Sequence, residues 1–492
     1  MSMIQVQHLT YTYPGSSEAV FEDVSFQLDT DWRLGVIGRN GRGKTTLMRL
    51  LTGECDSGGA IRTAAQFESF PRPVTDPGRP TLEVLQEICP DAGDWELTRE
   101  LSRLEVDPAA LEQPFATLSG GEQTKALLAA MFLNEGRFPL IDEPTNHLDA
   151  AGRAQLASYL RRKRGFLLVS HDRALLDGCV DHILSINRAG IEVQAGNYSS
   201  WRENFDRAQA FEQARNVQLQ RDIRQMQQAA RRAADWSDRV EATKGERVAG
   251  LKPDKGRIGH KAAKLMQRSK SIEARRAQAV EEKSTLLQNT ETAEKLKLHP
   301  LAHHAEHLVE LRDVCIRYDA RQICGPVRLE LMQGERICLE GANGSGKSSL
   351  LKLILGMDVP HTGSVRLASG LIVSHVPQSS AHLKGDLRDF AREMAIDERL
   401  LKAILRKLGF ERAQFERDMA DFSQGQKKKA LIAASLCQQA HLYIWDEPLN
   451  YIDLPSREQI ENMLAATDAT LLFVEHDRVF EEKIATRRLE MR

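Results

Sequence analysis

Long apolar runs are missing from this chain: none reaches eighteen residues, and the longest, such as 165–169 and 469–474, have the length of a single strand. A bilayer-spanning helix is thereby excluded. The opening residues, MSMIQVQHLT, have neither the basic start nor the apolar core of an export signal, so the expected location is the cytoplasm. Paired cysteines are missing too. Cys55, Cys89, Cys179, Cys315, Cys324, Cys338 and Cys437 are odd in number and form no CxxC pair, which argues against a disulfide framework and a zinc site and leaves buried free thiols as the expectation. Nor is there an excess of one charge. With 67 Lys and Arg against 69 Asp and Glu, the chain is not uniformly basic, so any contact with nucleic acid must come from a local patch.

What is present is an ordinary globular balance, 41% apolar and 28% charged, over 492 residues, more than a single core usually organises. Two large domains and a connector are expected. An internal repeat marks them out. GRNGRGKT at 38–45 and GANGSGKS at 341–348 both fit the phosphate-loop pattern GxxxxGK[ST] and lie 303 residues apart. LSGGE and FSQGQ (118–122 and 422–426) follow at an offset of 304, LIDEP and IWDEP at 304, and SHD and EHD at 305. A single phosphate-loop match occurs by chance, whereas four motifs recurring in order mean tandem duplication. Their order and spacing resemble those of ATP-binding cassette ATPases, over about 200 residues at each end. The resemblance implies an α/β fold with two tandem ATP-binding cassette domains, at 1–203 and 307–492, joined by a long α-helical hairpin linker at 204–306.

The connector has its own signature. From 201 to 298 the chain is rich in Gln, Arg, Ala, Lys and Glu with almost no β-branched runs, which reads as two long helices. Gly245, Gly250, Pro253, Gly256 and Gly259 interrupt them and mark the turn of a hairpin. A helix of some forty residues reaches roughly 60 Å at 1.5 Å per residue.

Each repeated motif carries a chemical role. The loop glycines, Gly38, Gly41 and Gly43 in one repeat and Gly341, Gly344 and Gly346 in the other, let backbone N–H groups wrap phosphates at a helix N-terminus. Asn40 and Asn343 lie in the same loops, Lys44 and Lys347 add the cation, and Thr46 and Ser349 stand directly behind the hydroxyls of Thr45 and Ser348. Those two hydroxyls are candidates for Mg2+, with Asp142 and Asp446 at the ends of apolar strands holding the metal's waters. Glu143 and Glu447 follow, each suited to orient and polarise the water that attacks the γ-phosphate. Asp-Glu pairs at strand ends are common surface features, but these stand about 100 residues beyond a phosphate loop.

His171 and His476, 28 and 29 residues past the glutamates and each behind an apolar strand, are the expected γ-phosphate sensors. Ser119, Gly120 and Gly121, and Ser423 and Gly425 in the second repeat, begin helices and offer further backbone donors. In the cassette family such residues serve the opposite domain's ATP, which implies pairing of the two cassettes within a monomer. Tyr13 and Tyr318, 31 and 29 residues before the lysines, fit either adenine stacking or a core. Gln378 occupies the family's magnesium-contacting position in the second repeat, where the first has Arg72, which cannot ligate a cation. Either Gln66 or a water replaces it, or the two sites hydrolyse differently; SQGQ in place of SGGQ adds to the asymmetry.

The motor alone does not name the task. Between Glu241 and Arg276 stand eleven Lys or Arg against four Asp or Glu, a local net of +7. Such a run fits either a solvated helical face or a footprint for polyphosphate backbones. The twin cassettes, this connector, and the strings DEPTNHLD (142–149) and DEPLNYID (446–453) resemble the ABC-F family of ribosome-binding ATPases. FSQGQ, EPLNYID, WSDRVE, IGRNGRGKTTL and KPDKGRIGHKAAKLMQRSKSIE are most similar to its Lsa-type antibiotic-resistance group.

The resemblance implies binding at the exit (E) site of the 70S ribosome, with 23S rRNA and P-site tRNA as partners. It also implies displacement of lincosamides, pleuromutilins and streptogramin A from the peptidyl-transferase centre. The linker tip falls near 244–258, with Lys244, Lys252, Lys255 and Arg257 as phosphate contacts and Leu251 or Ile258 as apolar probes. A housekeeping translation factor of the same family remains an alternative, as does an ATPase subunit that docks on a membrane exporter. DNA-repair ATPases with twin cassettes carry zinc-binding cysteines that this chain lacks, so DNA is not an expected partner.

Overall fold

The computed structural model describes residues 2–14, 19–134, 136–187, 190–242, scattered positions from 264 to 279, 295–318 and 321–491. They fall into two compact units, Met1–Trp201 together with Ala293–Arg492, and Arg202–Thr292. The first unit holds both cassettes. In the N-terminal one, a six-stranded sheet runs in the order Gln66–Phe70, Arg137–Asp142, Phe166–Val169, Arg33–Gly38, His182–Asn187 and Gly190–Ala195, parallel except for the last strand. In the C-terminal one, five parallel strands run in the order Val373–Val376, Leu442–Asp446, Leu471–Val474, Arg336–Glu340 and Arg487–Glu490. A three-stranded antiparallel sheet accompanies each, with Met3–Thr12 and His307–Tyr318 as the central strands.

Central parallel strands are covered on both faces, so they read as unbroken apolar runs. Phe166–Val169, Leu442–Asp446 and Leu471–Val474 are accordingly buried throughout. Ligands of open parallel sheets sit beyond the carboxyl ends of the strands. In each cassette the phosphate loop, the Asp-Glu pair and the histidine follow the carboxyl ends of three adjacent strands, which is why residues over 100 positions apart converge. The two cassettes also share a core: Leu454 of the C-terminal cassette is buried among residues of the N-terminal one.

A helix covers Tyr198–Ala242, 45 residues, all but its first four in the other unit, where the described positions between 264 and 279 are also helical. The proposed tip residues Lys244, Lys252, Lys255 and Arg257, like Leu251 and Ile258, lie outside the described residues. The expected linker boundary at 306 is too late. Leu296 and Leu298 are buried in the core of the C-terminal cassette, and Leu301 N donates to Ala440 O at 2.9 Å. Those alternating leucines form a short docking segment, hidden in the sequence behind the charged stretch that precedes it.

Candidate ATP sites

Each phosphate loop opens a helix, Lys44–Leu51 or Lys347–Ile354, whose N-cap glycine is left-handed, Gly43 at φ 91° and Gly346 at φ 88°. A Cβ on Gly43 would meet the Phe21 ring at 2.8 Å, so both conformation and space demand glycine there. Lys44 Nζ donates to Gly38 O at 2.7 Å and Arg39 O at 3.2 Å, and Lys347 Nζ to Gly341 O at 2.7 Å and Ala342 O at 2.8 Å. Both ammonium groups are buried, which lowers their pKa.

Thr45 Oγ1 donates to Asp142 Oδ2 at 2.9 Å. At the second site Ser348 hydrogen-bonds Asp446, while the buried Asp446 Oδ1 has no hydrogen-bond partner among the described residues. A hydroxyl beside a buried carboxylate oxygen with spare acceptor capacity fits a hydrated Mg2+. Glu143 and Glu447 adopt left-handed backbone conformations, φ 49° and 47°, unusual for residues with a Cβ. Each is anchored by its own N–H to the end of the neighbouring strand, Glu143 to Val169 O at 2.9 Å and Glu447 to Val474 O at 3.0 Å. That turn carries the carboxylates toward the histidines. Nε2 of His171 lies 3.5 Å from Glu143 Oε1, and Nε2 of His476 lies 3.7 Å from Glu447 Oε1.

The signature serines have a structural job as well. Ser119 and Ser423 are N-caps of the helices Gly120–Met131 and Gln424–Cys437, each closing a reciprocal capping box with Glu122 or Gln426. Both signatures face the opposite phosphate loop. A cavity of about 760 Å³ is lined by Ser119, Gly120 and Gly121 on one side and by Gly344, Gly346, Lys347, Ser348, Ser349, Gln378, Glu447 and His476 on the other. At the first site the approach is direct. Asn40 Nδ2 donates to Tyr451 O at 2.7 Å, Asn40 N to Asp453 Oδ2 at 3.3 Å, and a Cβ on Gly425 would stand 2.4 Å from Asn40 Nδ2. Only glycine tolerates that approach.

The two glutamates consequently differ. Burial, reinforced by the Asp142 charge, pushes the Glu143 carboxyl up to about 8. Burial also opposes ionisation of Glu447, but His476, Gln378 and Lys428 outweigh it and hold that carboxyl down to about 2. Asn450 Nδ2 further donates to Glu447 Oε2 at 2.6 Å.

Tyr13 and Tyr318 are 38% and 40% exposed, which disposes of the core reading. Their hydroxyls meet Thr46 Oγ1 at 2.7 Å and Ser349 Oγ at 3.3 Å, and Tyr318 lines the cavity. Gln66 does not substitute for Gln378. It pairs with Arg137 at the start of the strand that ends in Asp142, five residues or about 16 Å away. Arg72 turns back to Glu68 Oε1 at 3.2 Å. Sequence reasoning missed the roles of Tyr451 and Asp453, which stand inside the quoted string DEPLNYID, and of Lys428, two residues beyond FSQGQ; their signal was the register of the repeat.

The model of the family described as "ABC transporter" matches residues 21–146 and 324–450, just over half of the chain, with one match around each phosphate loop. The chain belongs to that family. It is an ABC-F type ATP-binding protein with two ABC cassettes, and an ATPase. Ribosome protection protein VmlR of Bacillus subtilis is 28% identical over 97% of this chain and 85% of its own length. ATP-binding protein Uup of Caulobacter vibrioides is 28% identical over 96% and 74%, and ABC transporter F family member 2 of Arabidopsis thaliana 25% over 100% and 76%. Among solved structures, the complex of archaeal ribosomal stalk protein aP1 with the archaeal ribosome recycling factor aABCE1 aligns with a TM-score of 0.63, 19% identity and 98% and 87% coverage. The RNase-L Inhibitor aligns with a TM-score of 0.62, 19% identity and the same coverage. These structures share the fold of this ABC-F type ATPase. Among its described residues, no helix is long and apolar enough to cross a membrane.

Proposed function

We propose that this ABC-F type ATPase acts on the 70S ribosome as a monomer in the cytoplasm. It would occupy the exit site, contact 23S rRNA and P-site tRNA through its linker, and dislodge lincosamides, pleuromutilins and streptogramin A in the manner of the Lsa-type group. The observation that carries this reading is the likeness to a protein named for ribosome protection, which extends through 97% of the chain and so includes the connector as well as the cassettes. The local charge of the connector supports it, since eleven cations against four anions within 241–276 suit a phosphate backbone.

In this reading the loops around Lys44 and Lys347 cradle the phosphates of ATP, and Tyr13 and Tyr318 stack on adenine. Ser119, Gly120 and Gly121 complete the second site, and Ser423 and Gly425 the first. Thr45 and Asp142, and Ser348, Asp446 and Gln378, would hold Mg2+, which would supply neutralising charge to the bound phosphates. Glu143 and Glu447 orient a water and take its proton as the water oxygen bonds the γ-phosphorus and the bond to the β–γ bridging oxygen breaks, while His171 and His476 hold the γ-phosphate. Product release then lets the cassettes separate.

Co-sedimentation of the Glu143→Gln, Glu447→Gln double variant with 70S ribosomes in ATP tests the target. Stable association is expected, and absence of association beside confirmed ATP binding would overturn the ribosome reading. Raised inhibitory concentrations for the three drug classes alone, in a susceptible host, are the expected sign of drug displacement. Association without any such rise would make the protein a translation factor of the same family.

A further inference from the structure

Lys428 belongs to none of the quoted motifs, yet it is among the most buried charged groups of the C-terminal cassette, 2% exposed in the helix Gln424–Cys437. An ammonium removed from water needs acceptors for its three donors. Nζ finds Pro377 O at 2.9 Å, Glu447 O at 3.0 Å and Asp446 O at 3.4 Å. These carbonyls come from two separate segments, the residue leading into Gln378 and the strand end that bears Glu447.

Glu447 is held in a left-handed conformation that a residue with a Cβ keeps only when its surroundings impose it. Its N–H is bonded to Val474 O and its carbonyl to Lys428, so the residue is pinned on both sides. The N-terminal cassette lacks half of this device. The repeat offset of 304 places Thr124 opposite Lys428. Among the described residues Thr124 makes no hydrogen bond to the Glu143 carbonyl, although Glu143 N is anchored in the same way as Glu447 N.

We propose that Lys428 is a positioning residue for ATP hydrolysis at the second site: by tying Pro377 to Glu447 it fixes Gln378 and the Glu447 carboxylate relative to one another, and it makes this site the faster of the two. Lys428 touches backbone oxygens only, so its effect passes through Glu447. The inference rests on the ATPase activity and is independent of any ribosomal target.

Turnover of the Glu143→Gln variant, in which the second site alone hydrolyses, is compared with that of Glu447→Gln, in which the first alone does. The second site is expected to be faster. Lys428→Met is then added to the Glu143→Gln protein. Misplacing a catalytic group by about 1 Å costs up to about a hundredfold, so kcat should fall at least tenfold while KM and the affinity for a fluorescent ATP analogue stay within about twofold. Lys428→Gln, which keeps two donors, should recover part of kcat. Equal or reversed turnover of the two single-site proteins would overturn the proposal, as would an unchanged kcat in Lys428→Met. A parallel loss of kcat and ATP affinity in both Lys428 variants would overturn it too, because Lys428 would then be holding the fold.

Discussion

Replacing Arg173 by alanine removes a guanidinium that crosses from the N-terminal cassette into the C-terminal one. Its NH1 donates to Glu461 Oε2 at 3.3 Å, its NH2 to Glu461 Oε1, and NH2 also reaches Asp477 Oδ2 at 3.3 Å. All three residues are buried. Breaking a buried ion pair from one side costs about 3–5 kcal/mol, because a desolvated charge is left behind. Here each carboxylate keeps one cation, Lys483 at 3.2 Å from Glu461 and Arg457 at 3.0 Å from Asp477, so the loss should lie near the lower end, about 3 kcal/mol. A double-mutant cycle of Arg173→Ala and Glu461→Ala, read by urea unfolding with a fluorescent pair across the cassettes, isolates the contact. A coupling above about 1 kcal/mol is expected; below about 0.5 kcal/mol, the pair does not bind the cassettes together and the reasoning fails.

The symmetry mate of this contact leads to a second prediction. The repeat offsets place Arg478 opposite Arg173 and Ala157 opposite Glu461, and both line a cavity of about 230 Å³; Ala157→Glu should supply the absent carboxylate, tighten the cassettes and slow steady-state ATP turnover several-fold. Gly425→Ala would drive a methyl into Asn40 Nδ2 and Tyr451 O, the latter at 2.5 Å, which should cost about 1–3 kcal/mol and raise the accessibility of a cysteine placed at Asn40 to thiol reagents. Burial, reinforced by Glu340 and Glu475, pushes the Glu481 carboxyl up to about 7. The folded chain therefore holds this proton more tightly than the unfolded one, and stability falls as pH rises from about 4.5 to 7 and is level above that. Glu481→Gln should remove the penalty, stabilising by about 2 kcal/mol at pH 8, after discounting for partial solvation, and by nothing near pH 4.5 in urea titrations.

Much of the site was legible because its chemistry is local. A phosphate loop needs its glycines, lysine and hydroxyl within eight consecutive residues, and the Asp-Glu and histidine motifs each close an apolar strand whose burial shows as an uninterrupted run. The repeat then assigned every motif a partner. Tyr13 and Tyr318 were undecided in sequence because exposure depends on what covers a strand end. The docking of Leu296 and Leu298 escaped notice because Glu294, Lys295 and Lys297 stand around them and the core they join is built from residues 40 or more positions downstream.

The linear order of residues by itself determined that the chain carries two cassettes and which side chains line each phosphate loop, since those constraints act within a strand and the turn that follows it. Sequence already marked the two sites as unequal, with Arg72 against Gln378 and SGGE against SQGQ, but which contacts make them differ was decided by tertiary structure. Tyr451 against Asn40, Lys428 under Glu447 and Arg173 between Glu461 and Asp477 are meetings of residues from 19 to more than 400 positions apart. Their strength depends on desolvation, which exists only in the folded chain: within the C-terminal cassette for Lys428, and between the two cassettes for the other two contacts.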